Sequence, residues 1–252
     1  MKRIFITGVS SGIGKELALE YAKQKCIIGI SARRHELLND IAKDCTDLGS
    51  KTFVYQLDVQ DREKCEEVTS EFLKTAGSID CVIANAGIGG DDNLFSGSSK
   101  DINNILNTNI KGVTNVIMPF IPIMKLQNHG TLVSVSSVAS YMPIPFHGGY
   151  ASSKIAIRRI FDSWRPSLQK HNLNLVSICP GFIDTPMVKG PARNFPLQKA
   201  DHAAKKFIHA IDKGKNNFVY PKYYYILIWL FNFTPMWFYN WLIKKMFSKP
   251  FN

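Results

Sequence analysis

An α/β fold, a doubly wound parallel sheet in a single domain, is predicted for this chain of 252 residues by three observations. Short apolar runs alternate with amphipathic stretches, that rhythm repeats along the chain, and the first run ends in a glycine-rich turn that opens a helix. Continuous apolar runs mark strands buried on both faces, and the amphipathic stretches supply the crossovers that parallel pairing requires. In order, residues 3–7 (RIFIT) form the first strand and residues 15–24 the first helix. Further strands fall at 27–31, 52–57, 79–84, 131–135, 174–179 and 218–220. Helices lie between them near 34–47, 61–75, 101–125, 150–170 and 200–213. The polar stretch Gly89-Gly90-Asp91-Asp92-Asn93 is too short for a linker and reads as a loop, so residues 1–221 make one domain. Within the 150–170 helix, Pro166 lacks the N–H that would bond to Asp162 and is expected to kink or end it.

Residues 222–252 form an apolar C-terminal extension. From Tyr223 to Ile243 there is no charge, and the stretch is dense in Tyr, Trp and Phe. Its length would span a bilayer, but Asn232, Thr234, Pro235 and Asn240 interrupt it. Aromatic residues flanked by Lys222 and Lys244-Lys245 suit an interface better than a hydrocarbon core. The expectation is two short helices broken at Thr234-Pro235. They would lie on a membrane surface, cover a substrate cleft or make a dimer contact.

Composition excludes several function classes. Hydrophobic residues make up 45% and charged residues 20%, enough for a sizeable core, and the net charge is +11. That charge admits nucleic acid, an anionic membrane or a phosphate-bearing ligand. The basic residues are scattered in pairs such as Arg33-Arg34, Lys205-Lys206 and Lys244-Lys245, with no zinc-finger, helix-turn-helix or RNA-binding pattern, so no nucleic acid partner is expected. Five cysteines without a Cys-x-x-Cys pair suggest buried thiols, not a disulfide framework or zinc site. The six histidines fit no triad or metal spacing, and His147 reads as a substrate-loop residue. The apolar run after Met1-Lys2-Arg3 is too short for a signal peptide, which points to the reducing cytoplasm, with the inner face of a membrane as the place of any attachment.

The turn Thr7-Gly8-Val9-Ser10-Ser11-Gly12-Ile13-Gly14 carries the first chemistry. Gly8 permits the tight turn, Gly12 lets backbone approach a pyrophosphate, and Gly14 lets helix and strand pack closely. The second strand ends at Ser31-Ala32-Arg33-Arg34, with no acid to bind a ribose 2′-hydroxyl. A guanidinium there binds a 2′-phosphate instead, so Arg33 is read as its ligand and NADP(H) as the cofactor. Arg34 assists or is solvated, and the sequence leaves both open. Further on, Gly149-Tyr150-Ala151-Ser152-Ser153-Lys154 sets a phenol and an ammonium on one helix face. The ammonium is expected to lower the phenol's pKa toward neutrality. Alone, such a pair would be read as an ordinary exposed helix pair. Its company decides.

These motifs resemble the short-chain dehydrogenase/reductase family over roughly residues 3–221. The match runs through Gly8, Ser10, Ser11, Gly12, Ile13 and Gly14 in the turn, Asp58 and Val59 after the third strand, and Asn85-Ala86-Gly87 after the fourth. Asn109, Ser137 (thirteen residues before Tyr150), Tyr150, Lys154 and the segment Pro180, Gly181, Ile183, Thr185 complete it. The resemblance implies a Rossmann-type fold and an NADP(H)-dependent oxidoreductase working between a carbonyl and a secondary alcohol, with an apolar substrate. It implies that Tyr150 is the general acid or base and that Lys154 lowers its pKa and holds the nicotinamide ribose. Ser137 would polarise the carbonyl and Asn109 would hold a water in a relay toward Lys154. The small residues Gly148, Gly149, Ala151 and Ser152 would keep bulk from the cofactor. A homodimer or higher oligomer is the expected assembly. The alternative from another class is a catalytically idle dinucleotide-binding sensor or scaffold.

Overall fold

The computed structural model describes residues 1–246, apart from the side chains at 191, 192, 242, 243 and 246; residues 247–252 of the expected extension lie outside the described residues. The apolar runs form β1 (Arg3–Thr7), β2 (Ile27–Ala32), β3 (Lys51–Gln56), β4 (Cys81–Ala84), β5 (Gly130–Val135), β6 (Leu173–Pro180) and β7 (Asn217–Tyr220). They pair in parallel in the order β3-β2-β1-β4-β5-β6-β7. The chain starts in the middle, steps outward to β3, and returns past β1 to build the other half. The order reverses between β1 and β4, where the carboxyl ends of the strands open a crevice.

Alternate side chains of each strand enter opposite cores. Ile4 and Ile6 of β1 join the core under α1 (Gly12–Ala22), α2 (His35–Asp47) and α8 (Ala200–Asp212). Phe5, between them, joins the other core, under α3 (Arg62–Ala76) and the helices that follow β4 and β5. There its ring stands 5.4 Å from Phe72 and 5.3 Å from Phe120. All five cysteines are buried and free.

Two expectations change. The single helix over 101–125 is instead α4 (Lys100–Leu106), a wide π turn (Asn107–Lys111), α5 (Gly112–Ile117), a 3-10 turn (Met118–Phe120) and α6 (Ile121–Gln127). Pro119 and Pro122 lack the N–H for a continuous ladder, and the π turn carries Asn109 into the interior. Pro166 does not end its helix: α7 runs from Gly148 to Gln169 with the proline inside. Only one turn follows it, and Trp164 and Leu168 on either side pack against the core below, which holds that turn in place.

Beyond β7 come α9 (Tyr223–Asn232) and α10 (Met236–Met246), parted at 233–235. In α9, Tyr224 and Ile228 face inward onto Cys179 and Val219, with Val138, Tyr141, Met142 and Phe182 around them. The Tyr225 hydroxyl accepts from the Val219 N–H at 3.1 Å, and the Tyr239 hydroxyl donates to the Pro143 carbonyl at 2.6 Å. Among the described residues, no helix is long and apolar enough to cross a membrane.

Candidate active site

The crevice is stitched together by polar groups from both sheet halves. The Asn85 amide donates to the carbonyls of Thr7 (2.9 Å) and Gly8 (3.2 Å), while the Thr7 hydroxyl accepts from the N–H groups of Asn85 (3.2 Å) and Ala86 (3.1 Å). Gly8 has φ +72°, and a Cβ there would stand 2.7 Å from the Ala86 Cα. At Gly14 a Cβ would collide with the Gly8 carbonyl and the Asn85 amide. Thr185 sits over Gly12, 3.2 Å from where its Cβ would be. Ser11 precedes α1 without a side-chain capping bond, and the first turn holds no acid, so the N–H groups around Gly12 and Ile13 face the crevice as donors for an anion.

At the end of β2, Arg33 is exposed; its carbonyl accepts from Gln56 at 3.2 Å and its side chain makes no hydrogen bond among the described residues. Arg34 instead folds back on the glycine turn, donating to Ser10 Oγ (2.8 Å) and Ser11 Oγ (3.3 Å). Asp58 accepts from the Gln60 N–H at 3.0 Å. Val59 is buried against Gly112, where a Cβ would meet its methyl group at 2.5 Å.

Opposite these, α7 brings Tyr150 and Lys154 to the floor of the crevice. Lys154 is 5% exposed, its Nζ lies 5.7 Å from the Tyr150 ring centroid, and it donates to the Val135 carbonyl at 2.8 Å. Ser137, just past β5, accepts from the Ala139 N–H at 3.1 Å, donates to the Pro180 carbonyl at 3.4 Å and lies beside the Tyr150 phenol. Asn109 holds the backbone of Ile88 through both ends of its amide (2.9 Å each) and donates to Ser153 Oγ at 3.0 Å. Gly87 is the meeting point of the two: a Cβ there would be 3.1 Å from Asn109 Oδ1 and 3.2 Å from Lys154 Nζ. Ser136 donates to the Lys154 carbonyl at 2.9 Å, a bond internal to the scaffold, consistent with the choice of its neighbour Ser137. Past β6, the Gly181 N–H donates to the Tyr220 carbonyl at 2.7 Å, and Ile183 is buried in a bridge with Gln198.

The ionisation expected of the pair is corrected. Burial pushes the Tyr150 phenol up, with the Ser137 hydrogen bond opposing it. Burial also pulls Lys154 down, to about 8. The ammonium spends a hydrogen bond on Val135, and the same dry surroundings that raise the phenol weaken the lysine's charge.

Asp92 and Tyr224 escaped the sequence reading, and His147 was read only as a substrate-loop residue. Asp92, in the loop before α4, is buried and accepts from the N–H groups of Gly148 (2.5 Å) and Gly149 (2.9 Å), so a distant carboxylate caps the helix that carries Tyr150. The two glycines make room for Asp92: Cβ atoms on them would stand 3.0 and 2.9 Å from its oxygens, and one on Gly149 would also meet Ile102 at 2.7 Å. His147 donates to the Gly90 carbonyl at 2.7 Å, closing the same loop. Tyr224 of α9 lies against Gly181, where a Cβ would strike its ring. Long-range contacts of this kind leave no periodicity to read.

With that geometry in place, comparisons with known proteins add the following. A sequence model described as short chain dehydrogenase matches residues 2–194. The chain is 34% identical over 188 residues to the 3-oxoacyl-acyl-carrier-protein reductase FabG of Thermotoga maritima, covering 75% of this chain and 76% of that protein. It is 29% identical over 236 residues to human 17-beta-hydroxysteroid dehydrogenase 13, covering 92% and 79%. Its structure resembles an alcohol dehydrogenase of the archaeon Thermococcus sibiricus complexed with 5-hydroxy-NADP, with TM-score 0.78 and 27% identity over 87% of this chain and 95% of that one.

Proposed function

This chain belongs to the short-chain dehydrogenase family, and from that premise we propose that it is an NADP(H)-dependent oxidoreductase acting between a carbonyl and a secondary alcohol on a lipophilic molecule. The observation that carries the reading is the convergence of Ser137, Tyr150, Lys154 and Asn109 on one crevice whose opposite wall is the glycine turn. The residues fit a dinucleotide. Gly8 and Gly14 leave no room for side chains where backbone must come close, and the start of α1 offers uncapped N–H groups for phosphate. Arg33 and Arg34 stand where a 2′-phosphate would be read, and Asp58 and Val59 flank the adenine side. Asn85, Ala86 and Gly87, then Pro180, Gly181, Ile183 and Thr185, continue the wall toward the nicotinamide end. The bound nucleotide supplies or accepts a hydride.

The chain's own groups handle the proton. Tyr150 donates its phenolic proton to a carbonyl oxygen in reduction and takes one from a hydroxyl in oxidation. A raised phenol pKa keeps that proton in place until the oxygen becomes basic. Ser137 donates to the same oxygen and fixes its position, and Lys154 holds a ribose hydroxyl and favours charge on the phenol. Asn109, anchored on Ile88, positions a proton relay toward Lys154.

The lipophilic substrate and a peripheral membrane contact rest on α9 and α10. Trp229, Leu230, Phe233 and Trp237 are exposed, Phe233 and Trp237 to 72%, and Lys244 and Lys245 follow. The inward side of α9 touches Gly181 and Met142, which links that surface to the crevice. Two relatives, a 3-oxoacyl-acyl-carrier-protein reductase and a 17-beta-hydroxysteroid dehydrogenase, support an apolar substrate. The deciding experiment is NADPH consumption by the purified chain against sterol, retinoid, fatty-acyl and small sugar carbonyls. Turnover confined to the sugars would overturn the lipophilic assignment, and no turnover on any would favour an idle dinucleotide binder.

A further inference from the structure

A cavity of about 550 Å³ lies alongside the stripe of α7 that carries Tyr150 and Lys154, and is lined by neither of them. Ala151, Ile155, Arg158 and Arg159 line it from α7, Tyr141 and Met142 from the segment after Ser137, and Asn232 from the end of α9. At about 100° per residue these α7 positions sit a fifth to a half of a turn round from Tyr150. No acid lines the cavity, although two arginines do.

Arg158 is the unusual one. It is only 9% exposed, and no carboxylate pairs with it among the described residues. One N–H donates to the Ser140 carbonyl at 2.9 Å, and the guanidinium lies 4.1 Å from the Tyr141 ring centroid. Its Nε is buried with no partner. Arg165, further along the helix, also has a buried Nε without a partner, but it has a counter-charge, pairing with Asp162 at 2.8 Å. Arg159 reaches the other oxygen of that carboxylate only at 3.8 Å, from a largely exposed position. A buried guanidinium without a counter-charge is costly, and a fork of donors at a cavity wall matches carboxylate or phosphate. Met142, Pro143, Ile144 and Ile155 give the wall an apolar stretch, with Ser140 and Ser152 also lining it.

We propose that this cavity binds the anionic head of an amphiphile, a carboxylate or phosphate on an apolar body, with Arg158 and Arg159 as its ligands. The apolar body lies along Met142 and Ile155. Asn232, the last residue of α9, lines the cavity and brings it next to the helix that carries the exposed rings. The head group belongs either to a free amphiphile or to a bilayer lipid met by that surface. The site is separate from the crevice and does not depend on the assigned reaction.

Isothermal titration calorimetry on the full chain tests this with three probes of equal length: decanoate, decyl phosphate and decanol. At least one anion should bind tenfold or more tightly than decanol. Arg159→Gln should weaken it severalfold, and Arg158→Lys, which keeps the charge but not the fork, should do the same with near-UV circular dichroism unchanged. Co-sedimentation of these variants with phosphatidylserine vesicles separates the sources. Loss of vesicle binding along with decanoate binding assigns the site to a bilayer head group, and retention assigns it to a free amphiphile. Equal affinity for decanoate and decanol, or anion binding indifferent to both substitutions, would overturn the proposal. So would no binding of either anion, including the case where a second copy of the chain already fills this face.

Discussion

Beneath the sheet, Phe5, Phe72 and Phe120 pack ring against ring with almost no exposure, whereas Trp229, Trp237 and Trp241 at the C-terminus make similar ring contacts with water on their other side. Around α7 the inversion runs the other way: Lys154 and Arg158 are charges held inside. Buried charge and exposed rings both oppose the ordinary distribution, and each persists only where something outside the isolated fold compensates. The two regions touch, through Tyr224 on Gly181 and Tyr239 on Pro143. Departures from the local rules gather at the part of a protein that does its work, and here the interior and exterior departures are neighbours.

The strongest way to break the comparison is at the interior end. Tyr150→Phe deletes the proton donor and keeps the ring, so turnover should fall at least about a hundredfold while NADPH binding persists. Steady-state rates and a fluorescence titration give the two readings. Near-normal turnover would show that Tyr150 is not the acid, and the buried lysine beneath it would then need another explanation.

At the exterior end, replacing Trp229 and Trp237 together by Gln should abolish most co-sedimentation with anionic vesicles. Both are outward-facing, so stability should change by no more than about 0.5 kcal/mol per site. Ending the chain at Pro221 should also release it from vesicles, but with lower stability, because Tyr224 and Ile228 leave Cys179 and Val219 uncovered. If the double variant still sediments while a dimer turns monomeric, the rings meet a subunit and not lipid.

Lys154 gives a third, smaller test through pH. Its folded value, about 8, lies below the ordinary lysine value, so between the two the unfolded chain binds more protons. Stability of the unliganded wild type should therefore rise with pH through that window, and the burial cost should be fully present below it. Lys154→Met lacks this titration. Denaturant melts at pH 8 and 9.5 should show the wild type gaining on the variant, toward a limit on the order of 3 kcal/mol. Parallel curves would mean that Lys154 keeps its ordinary pKa in the folded chain and stays charged across this window.

Much of this was legible beforehand. Continuous apolar runs revealed all seven strands because a sheet covered on both faces leaves no polar side to obscure them. The glycine turn and the Tyr150–Lys154 pair were readable at short spacing, whereas Asn109 and Ser137 entered only through the family resemblance. The broken 100–127 region was hidden because apolar spacing survives a π turn and two prolines. Asp92 was hidden because a cap supplied from more than fifty residues away obeys no local pattern. The direction of the Tyr150 shift was missed because spacing shows the ammonium but not how dry the site is. The tail's two helices followed from Pro235, but which side of α9 faces inward depended on Gly181, which only the folded chain brings near.

The smallest expected effect separates two arginines that the sequence left side by side. Arg34 is held on Ser10 and Ser11, whereas Arg33 makes no side-chain hydrogen bond among the described residues. A free guanidinium can close on a 2′-phosphate at the cost of ordering a long side chain, and one already tethered to the turn is partly ordered. Both are solvent-facing, so neither contact should approach the strength of a buried pair. The wild type should prefer NADPH to NADH at least tenfold, about 1.4 kcal/mol. If the tether is preorganisation, Arg34→Ala should remove as much of that preference as Arg33→Ala, and the pair together should abolish it. Fluorescence titrations with both nucleotides measure this directly. A loss confined to Arg33→Ala would make the Arg34 contact a brace for the turn, and equal affinities in the unmodified chain would remove the NADP(H) assignment altogether.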